Sequence, residues 1–173
     1  GTVTWVDNAL SIAAIPLMLL LSVFLMVPVA SSITSLFLED VAQAVEDRHY
    51  PALGPAQPVT IADGLRDTVS FLGVMIGANI LALIIYFGVP PLAPFVFWGL
   101  NGFLLGREYF TVAAMRRVGR DGAKQLRNRH RLTIWAAGIL MALPLTVPLV
   151  NLLIPVLGAA TFTHIFHRLN LRA

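Results

Sequence analysis

The chain has 173 residues, of which 12% are charged and 57% hydrophobic, and its formal net charge is +3. Soluble domains carry charge at roughly a quarter of their positions. A soluble domain of this length could not bury so much apolar surface, so the composition excludes an ordinary soluble fold and indicates an integral membrane protein. Cysteine is absent, which excludes disulfides, thiolate catalysis and thiolate metal ligands.

Charge is missing from three long blocks, residues 8–38, 68–106 and 132–163, which contain 31, 39 and 32 residues. An apolar stretch of about 18 residues or more is long enough to cross a bilayer as a helix. The first block is therefore predicted to be a long transmembrane helix, and helix is expected to continue through Glu46.

A loop and a new helix start follow the first block. Residues 50–58 contain three prolines and one glycine, a composition that stops a helix. Thr60 and Asp63 then match a capping box, in which the two side chains satisfy free amides at a helix start. The pattern predicts that helix begins again at about residue 61.

The other two blocks have proline-rich centres, at residues 87–94 and 144–151, through which a helix cannot run continuously. The uncharged pieces at residues 95–106, 132–143 and 152–163 hold 12 residues each. Twelve helical residues reach about 18 Å, less than the ~30 Å hydrocarbon core. We predict two Pro-broken helical hairpins that penetrate the membrane partly. Broken helices at that depth need protein or water around them, which favours a homo-oligomer or a pore.

The basic residues predict the topology. Eight of the twelve lie in residues 107–131, and the positive-inside rule places this segment in the cytoplasm. Because hairpins return the chain to the side it left, residues 39–67 and the C-terminus are expected there too. The predicted fold is thus all-α and integral to the membrane. It is a single membrane domain over residues 1–173, with a long transmembrane helix, two partly penetrating hairpins and a basic cytoplasmic helical segment.

Two charged positions are candidates for an anion pathway. Arg107 could attract an anion while Glu108 holds the Arg107 side chain in place. Spacing alone, however, favours an interfacial arginine beside a carboxylate. Arg66 lies at a helix start, where free amides favour anions. The neighbouring Asp63 and Asp67 favour an ordinary capped helix instead.

Three asparagines lie within or beside the apolar blocks. An unpaired amide in lipid costs several kcal/mol, so Asn101 and Asn151 are expected to face protein or water. Asn151 lies at a proline-rich break, where unwound backbone can line a cavity. For Asn79 we favour hydrogen bonding between helices.

Other site classes find less support. Residues 116–131 are basic but contain no aromatic side chain to stack on bases, so anionic lipid headgroups are favoured and nucleic acid is not expected. His164 and His167 have no third ligand nearby in the sequence, so no metal site is predicted. A nucleophile constellation and a phosphate loop are also missing from the sequence. We therefore expect neither an enzyme nor a cofactor.

Two regions resemble the CysZ-like sulfate permease family, which shares its domain with the etoposide-induced-protein family. The first is Phe-Trp-Gly-Leu-Asn-Gly-Phe-Leu-Leu-Gly-Arg-Glu-Tyr-Phe at residues 97–110, with the basic segment behind it. The second is a Pro-x₃-Pro-x₂-Asn-x₃-Pro-x₂-Gly-Ala pattern from Pro144 to Ala159. The resemblance implies a permease of the bacterial inner membrane that supplies sulfate for cysteine biosynthesis without ATP hydrolysis, as a dimer or larger homo-oligomer.

The resemblance also implies two long transmembrane helices and an earlier arginine-containing anion site, which this chain is expected to lack together with the first long helix. It carries over Arg107 and Glu108. With Asn101, Asn151 and Arg66 they make up the predicted substrate pathway for sulfate or a related oxyanion. The competing hypothesis is a non-transport protein with a structural or lipid-interacting role in the membrane.

Overall fold

The computed structural model describes residues 14–19, 22 and 37–171, and the chain divides into two compact units with the boundary after Phe37. In the first unit, residues 14–19 and 22 are helical and mostly exposed. Most of the predicted first transmembrane helix lies outside the described residues.

The regular structure of the second unit is helical, and its described residues contain no strand, which confirms the all-α class for this part of the chain. Its first helix, α1, covers residues 37–49, of which all but Phe37 belong to this unit. The later helices are α2 (Ile61–Gly88), α3 (Ala93–Arg129), α4 (Arg131–Ala142), α5 (Pro148–Asn151) and α6 (Ile154–Asn170), with 3₁₀ turns at Pro90–Leu92 and Leu143–Thr146.

The start of α2 confirms the predicted helix start with Thr60 as its N-cap, although the Asp63 carboxylate accepts from the Thr60 hydroxyl and is not seen to cap the Thr60 amide. The Asp63 amide donates to the Thr60 hydroxyl at 3.3 Å, and that hydroxyl donates to the Asp63 carboxylate at 2.6 Å. α2 has 28 residues, about 42 Å of helix. Among the described residues it is the one helix whose length and composition suit a membrane span. Ala82 is its only buried residue, so nearly all of its apolar surface is left for a surrounding apolar medium.

Both predicted proline-rich breaks are present. α2 ends at Gly88, a 3₁₀ turn covers Pro90–Leu92, and α3 begins at Ala93. After α4, a second 3₁₀ turn and the four residues of α5 separate it from α6, because each proline removes a backbone donor and clashes with the preceding turn. How deeply the flanking helices enter a membrane stays a prediction.

The lengths of the helices next to these breaks differ from the prediction. The uncharged piece at residues 95–106 is not a separate short helix, because α3 continues through it into the basic residues. Likewise α6 continues past Thr163 to Asn170. A helix ends where its backbone hydrogen bonds are interrupted, and a change from apolar to charged side chains does not interrupt them.

Gly119 turns the chain inside α3. Its φ of 70° and ψ of 178° are not helical, and glycine adopts such a φ without steric cost. Past this turn, Nη1 of Arg127 reaches the Thr111 hydroxyl at 2.6 Å. Sixteen residues of straight helix would separate the two positions by about 24 Å. The segment after Gly119 therefore folds back along the segment before it.

Glycines allow α4 to approach α3 closely. A methyl group built on Gly138 would lie 1.9 Å from the carbonyl oxygen of Gly102, and one on Gly106 would lie 2.6 Å from that of Ile134. Gly102 and Gly106 are four residues apart and share a helix face, the Gly-x₃-Gly spacing of tightly packed membrane helices. The two backbones are in direct contact along this face.

An aromatic core joins α3 to α6. Phe110, Phe162 and Phe166 are fully buried, and Tyr109 stacks on Phe162 with 6.2 Å between ring centroids. Gly158 lies under the Tyr109 ring, where a methyl group would come within 2.8 Å. Such aromatic contacts add about 0.5–1.5 kcal/mol beyond burial alone, so this core holds the basic part of α3 against the last helix.

Candidate functional site

Arg107 is a buried cation at the interface of α3 and α2. Its side chain has only 8% of its surface exposed, and its Nη2 donates to the Ser70 hydroxyl at 3.0 Å. The guanidinium carbon lies 5.8 Å from the centre of the Phe71 ring, within range of a cation–π interaction. Its Nε is buried and has no hydrogen-bond partner in the described part of the chain. A buried donor without a partner is costly, so this nitrogen marks Arg107 as a side chain whose hydrogen bonds are incomplete.

A cavity of about 220 Å³ opens beside Arg107. Arg127 and Arg131 also line it, because the turn at Gly119 returns the end of α3 and the start of α4 to this position. We call it the arginine cavity. Its remaining lining residues are Phe103, Asn128, Ile134 and Trp135.

The cavity concentrates positive charge. Burial lowers the pKa of Arg127, the charge of Arg107 lowers it further, and Asp67 opposes these effects. The Arg127 guanidinium donates to the Thr111 hydroxyl, which in turn donates to the Arg107 carbonyl at 2.6 Å. Two cations are thus held close enough to repel each other, and an anion in the cavity would relieve that repulsion.

The other four predicted pathway residues do not line the arginine cavity. Glu108, Asn151 and Arg66 are exposed, on α3, α5 and α2 respectively. Asn101 is half-buried and donates to the Phe97 carbonyl in its own helix at 2.8 Å. Of the five, the structure brings Arg107 alone to the cavity, and a role for the others in a pathway stays a prediction.

Asn79 satisfies its amide differently from the expectation. Its Nδ2 donates to the Met75 carbonyl at 2.8 Å, one turn back in α2, instead of to a neighbouring helix. A short polar side chain on a helix can reach the carbonyl four residues earlier, and this local bond competes with bonds between helices.

A second polar centre, which sequence reasoning missed, surrounds Glu46. We call Glu46, Arg116, Arg117 and His167 the Glu46 cluster. Arg117 donates to both carboxylate oxygens of Glu46, at 3.1 and 2.6 Å, and Arg116 lies 3.3 Å from one of them. His167 Nε2 lies 2.8 Å from the other oxygen. The cluster joins α1, α3 and α6, and Glu46 is 1% exposed.

The same arginines also hold the loop between α1 and α2. Arg117 donates to the Gly54 carbonyl at 2.6 Å, and the Gln57 amide donates to the Arg116 carbonyl at 3.1 Å. Nearby, the Tyr50 hydroxyl and His164 Nδ1 are 2.9 Å apart. The proline-rich loop is therefore attached to the basic part of α3 by polar contacts.

One sequence signal could have located Glu46. It follows Leu38 and Ala42 at intervals of four residues, so all three share one helix face, and all three are buried. A carboxylate that continues an apolar row needs buried cationic partners. The sequence contains many arginines, however, and does not indicate which of them fold onto this row.

The surroundings of Glu46 lower its pKa. Burial alone raises the pKa, but hydrogen bonds from Arg117 and His167 and the charges of Arg116 and Arg117 outweigh it, so the net shift is below the ordinary value of 4.5. The folded state therefore holds this carboxylate ionised at a pH where the unfolded chain begins to bind a proton.

This shift predicts a loss of stability in acid. The contribution of Glu46 is fully present above its unfolded pKa and disappears as pH falls through the lower folded pKa. The thermal midpoint of the detergent-solubilised protein should fall between about pH 5 and pH 3. The thermal midpoint of Glu46→Gln should fall less steeply over this range. The midpoint of Asp40→Asn, at an exposed position of α1, should keep the wild-type slope. Equal slopes for Glu46→Gln and wild type would contradict this prediction.

Comparison with known proteins gives one match. No curated protein and no solved structure matches the chain, but residues 2–155 match the family model described as "Sulfate transporter CysZ/Etoposide-induced protein 2.4". The matched range includes α2, α4 and all of α3, and with them Arg107 and the arginine cavity. It covers most of the chain, as the resemblance of residues 97–110 and 144–159 predicted. The protein therefore belongs to the sulfate transporter CysZ/etoposide-induced protein 2.4 family.

Proposed function

We propose that the protein is a permease for sulfate or a related oxyanion in the bacterial inner membrane, where it supplies sulfate for cysteine biosynthesis. The observation that carries this proposal is the buried Arg107, whose guanidinium lines a positively charged cavity in a chain that belongs to a sulfate transporter family. These observations support an anion pathway that includes Arg107.

The chemistry of sulfate suits such a group. A doubly charged ion does not enter hydrocarbon, so its pathway must replace water with oriented donors. The planar guanidinium group offers a fork of N–H donors, which matches the oxygens of a tetrahedral oxyanion. Arg107 is supported by Ser70 and Phe71, so its position is held, while its Nε has no acceptor in the part of the chain that the structure describes.

The membrane arrangement follows from apolar surface and charge. α2 suits a span by length and composition, and its side chains other than Ala82 are exposed or partly exposed. The basic residues 107–131 belong on the cytoplasmic side with the C-terminus. The breaks before α3 and after α4 interrupt backbone hydrogen bonding, which at membrane depth needs a protein or water neighbour. These features support a multi-pass homo-oligomer.

A lipid-interacting structural role is the second candidate. A larger apolar cavity of about 520 Å³ is lined by α2, α3 and α4, and side chains such as Leu81, Phe95 and Trp135 form its walls. This cavity suits an acyl chain better than an ion. A protein that binds lipid there without moving sulfate would have this second function.

Sulfate uptake into proteoliposomes distinguishes the two candidates. Wild-type protein should admit radiolabelled sulfate, and Arg107→Ala should reduce the initial rate about tenfold or more, because a charge-assisted contact is worth about 1.5–3 kcal/mol. Arg107→Lys should also reduce it, since lysine keeps the charge but not the fork. Arg129→Ala removes an exposed arginine from the same helix and should change the rate less than about twofold.

Two results would reject the proposal. The first is wild-type uptake no faster than that of protein-free vesicles, which would favour the lipid-interacting role. The second is full activity in an Arg107→Ala protein that elutes as wild type in size-exclusion chromatography and unfolds at the same temperature.

A further inference from the structure

We infer that the arginine cavity is a binding site for a doubly charged tetrahedral oxyanion, with Arg127 and Arg131 completing the site that Arg107 begins. This inference rests on the proposed function for the choice of sulfate as the probe. It adds two residues that sequence reasoning left in the general basic segment.

The first argument is the arrangement of charge. The cavity lining contains three guanidinium groups and no carboxylate. Asp67 is the acidic residue that acts on Arg127, and it lies outside the lining. A dianion between these cations would form charge-assisted hydrogen bonds, which are about twice as strong as neutral ones.

The second argument is the set of donors without partners. Arg107 is more than nine-tenths buried, and its Nε finds no acceptor among the described residues. α4 begins at Arg131, and no described side chain caps its N-terminus. The free amides of a helix start carry a partial positive charge and bind anions. The cavity is therefore lined by the residue that carries the unpartnered Nε and by the first residue of a helix without a side-chain cap.

The third argument is size and surroundings. At about 220 Å³ the cavity is smaller than the roughly 300–1,000 Å³ of sites for drug-sized ligands, so it suits an ion of a few atoms. Phe103, Ile134 and Trp135 form its apolar walls. Apolar walls lower the local dielectric constant, which strengthens hydrogen bonds from arginine to an anion.

The same chemistry occurs in two ligands. Free sulfate and the phosphate monoester headgroup of phosphatidic acid are both tetrahedral and both carry close to two negative charges. Each would occupy the three guanidinium groups in the same way, so two binding measurements are needed to tell which of them the site takes.

The test compares two double variants of the full chain with the same change in charge. Arg127→Gln/Arg131→Gln alters the cavity, and Arg129→Gln/Arg168→Gln alters exposed arginines in the last turns of α3 and α6. In equilibrium dialysis of the detergent-solubilised protein, the cavity variant should bind radiolabelled sulfate about thirtyfold more weakly. The control should stay within about threefold of wild type.

A second arm replaces sulfate with radiolabelled phosphatidic acid in the same micelles and counts the lipid retained by immobilised protein. If sulfate binding depends on Arg127 and Arg131, the ligand of the site is a free ion. If retention of phosphatidic acid depends on them, the ligand is a lipid headgroup. Arg131→Gln alone, at an exposed position, guards against misfolding and should weaken binding about fivefold. Binding unchanged by the cavity variant in both arms overturns the inference.

Measurements of binding and of uptake test the site and the permease function separately. Uptake by wild type that is unaffected by the cavity variant would reject this site and leave the permease. Binding that depends on Arg127 and Arg131, in a protein without uptake, would keep the site and reject the permease.

Discussion

Replacing Gly138 by alanine is expected to destabilise the folded protein by about 3 kcal/mol, at the upper end of the usual cost of overpacking. The added methyl group would lie 1.9 Å from the Gly102 carbonyl oxygen, a backbone atom that cannot rotate away. α4 must then separate from α3. Because the start of α4 lines the arginine cavity, the variant should also weaken sulfate binding. Thermal unfolding in detergent, followed by tryptophan fluorescence, measures the change.

Gly64→Ala is the matched control for this prediction. Gly64 is also helical, but an added methyl group would meet no atom within 4 Å. Alanine is favoured over glycine within a helix by up to about 1 kcal/mol, so this variant should be neutral or slightly stabilised. Unfolding of both variants at the same temperature would mean that α3 and α4 are not in backbone contact.

Glu46→Gln is expected to cost about 3–5 kcal/mol, because it leaves buried arginines without a counter-charge. Glutamine keeps the shape and can still accept hydrogen bonds, so the loss reports the charge and not a cavity. The loop from α1 to α2 should loosen as well, since Arg117 holds both Glu46 and the Gly54 carbonyl. Limited proteolysis at residues 50–60 would detect this loosening.

The control for Glu46→Gln is again Asp40→Asn, which removes an exposed carboxylate from the same helix and should change stability by less than about 0.5 kcal/mol. If Glu46→Gln unfolds at the same temperature as the control, the charge of Glu46 contributes nothing to stability. In that case the basic residues 116 and 117 would be free for the lipid headgroups that the sequence suggested.

Some features of the fold were predictable because they depend on neighbours in the chain. Proline removes its own backbone donor, so the breaks after α2 and after α4 follow from the residues at those positions. The start of α2 follows in the same way from Thr60 and Asp63. Arg107 was also noticed locally, as a charge at the edge of an apolar helix.

Other features depend on residues far apart in sequence. The Gly-x₃-Gly spacing at 102 and 106 is present in the sequence, but the sequence does not show that Gly138 packs against it. Glu46 meets His167 across 121 positions, and no local rule pairs them. The change from uncharged to basic residues at position 106 marks no helix end, because a change of side-chain charge does not interrupt the backbone hydrogen bonds of α3.

Composition and the spacing of prolines by themselves determined an all-helical, highly apolar chain with two broken blocks and a basic segment, because those properties follow from local steric and solvation rules. The tertiary structure alone decided which of the many arginines act together. One glycine at position 119, with a positive φ, reverses the chain and carries Arg127 and Arg131 back to Arg107. A reversal of this kind depends on a single backbone angle, and the sequence leaves that angle open until the packing of α3, α4 and α6 selects it.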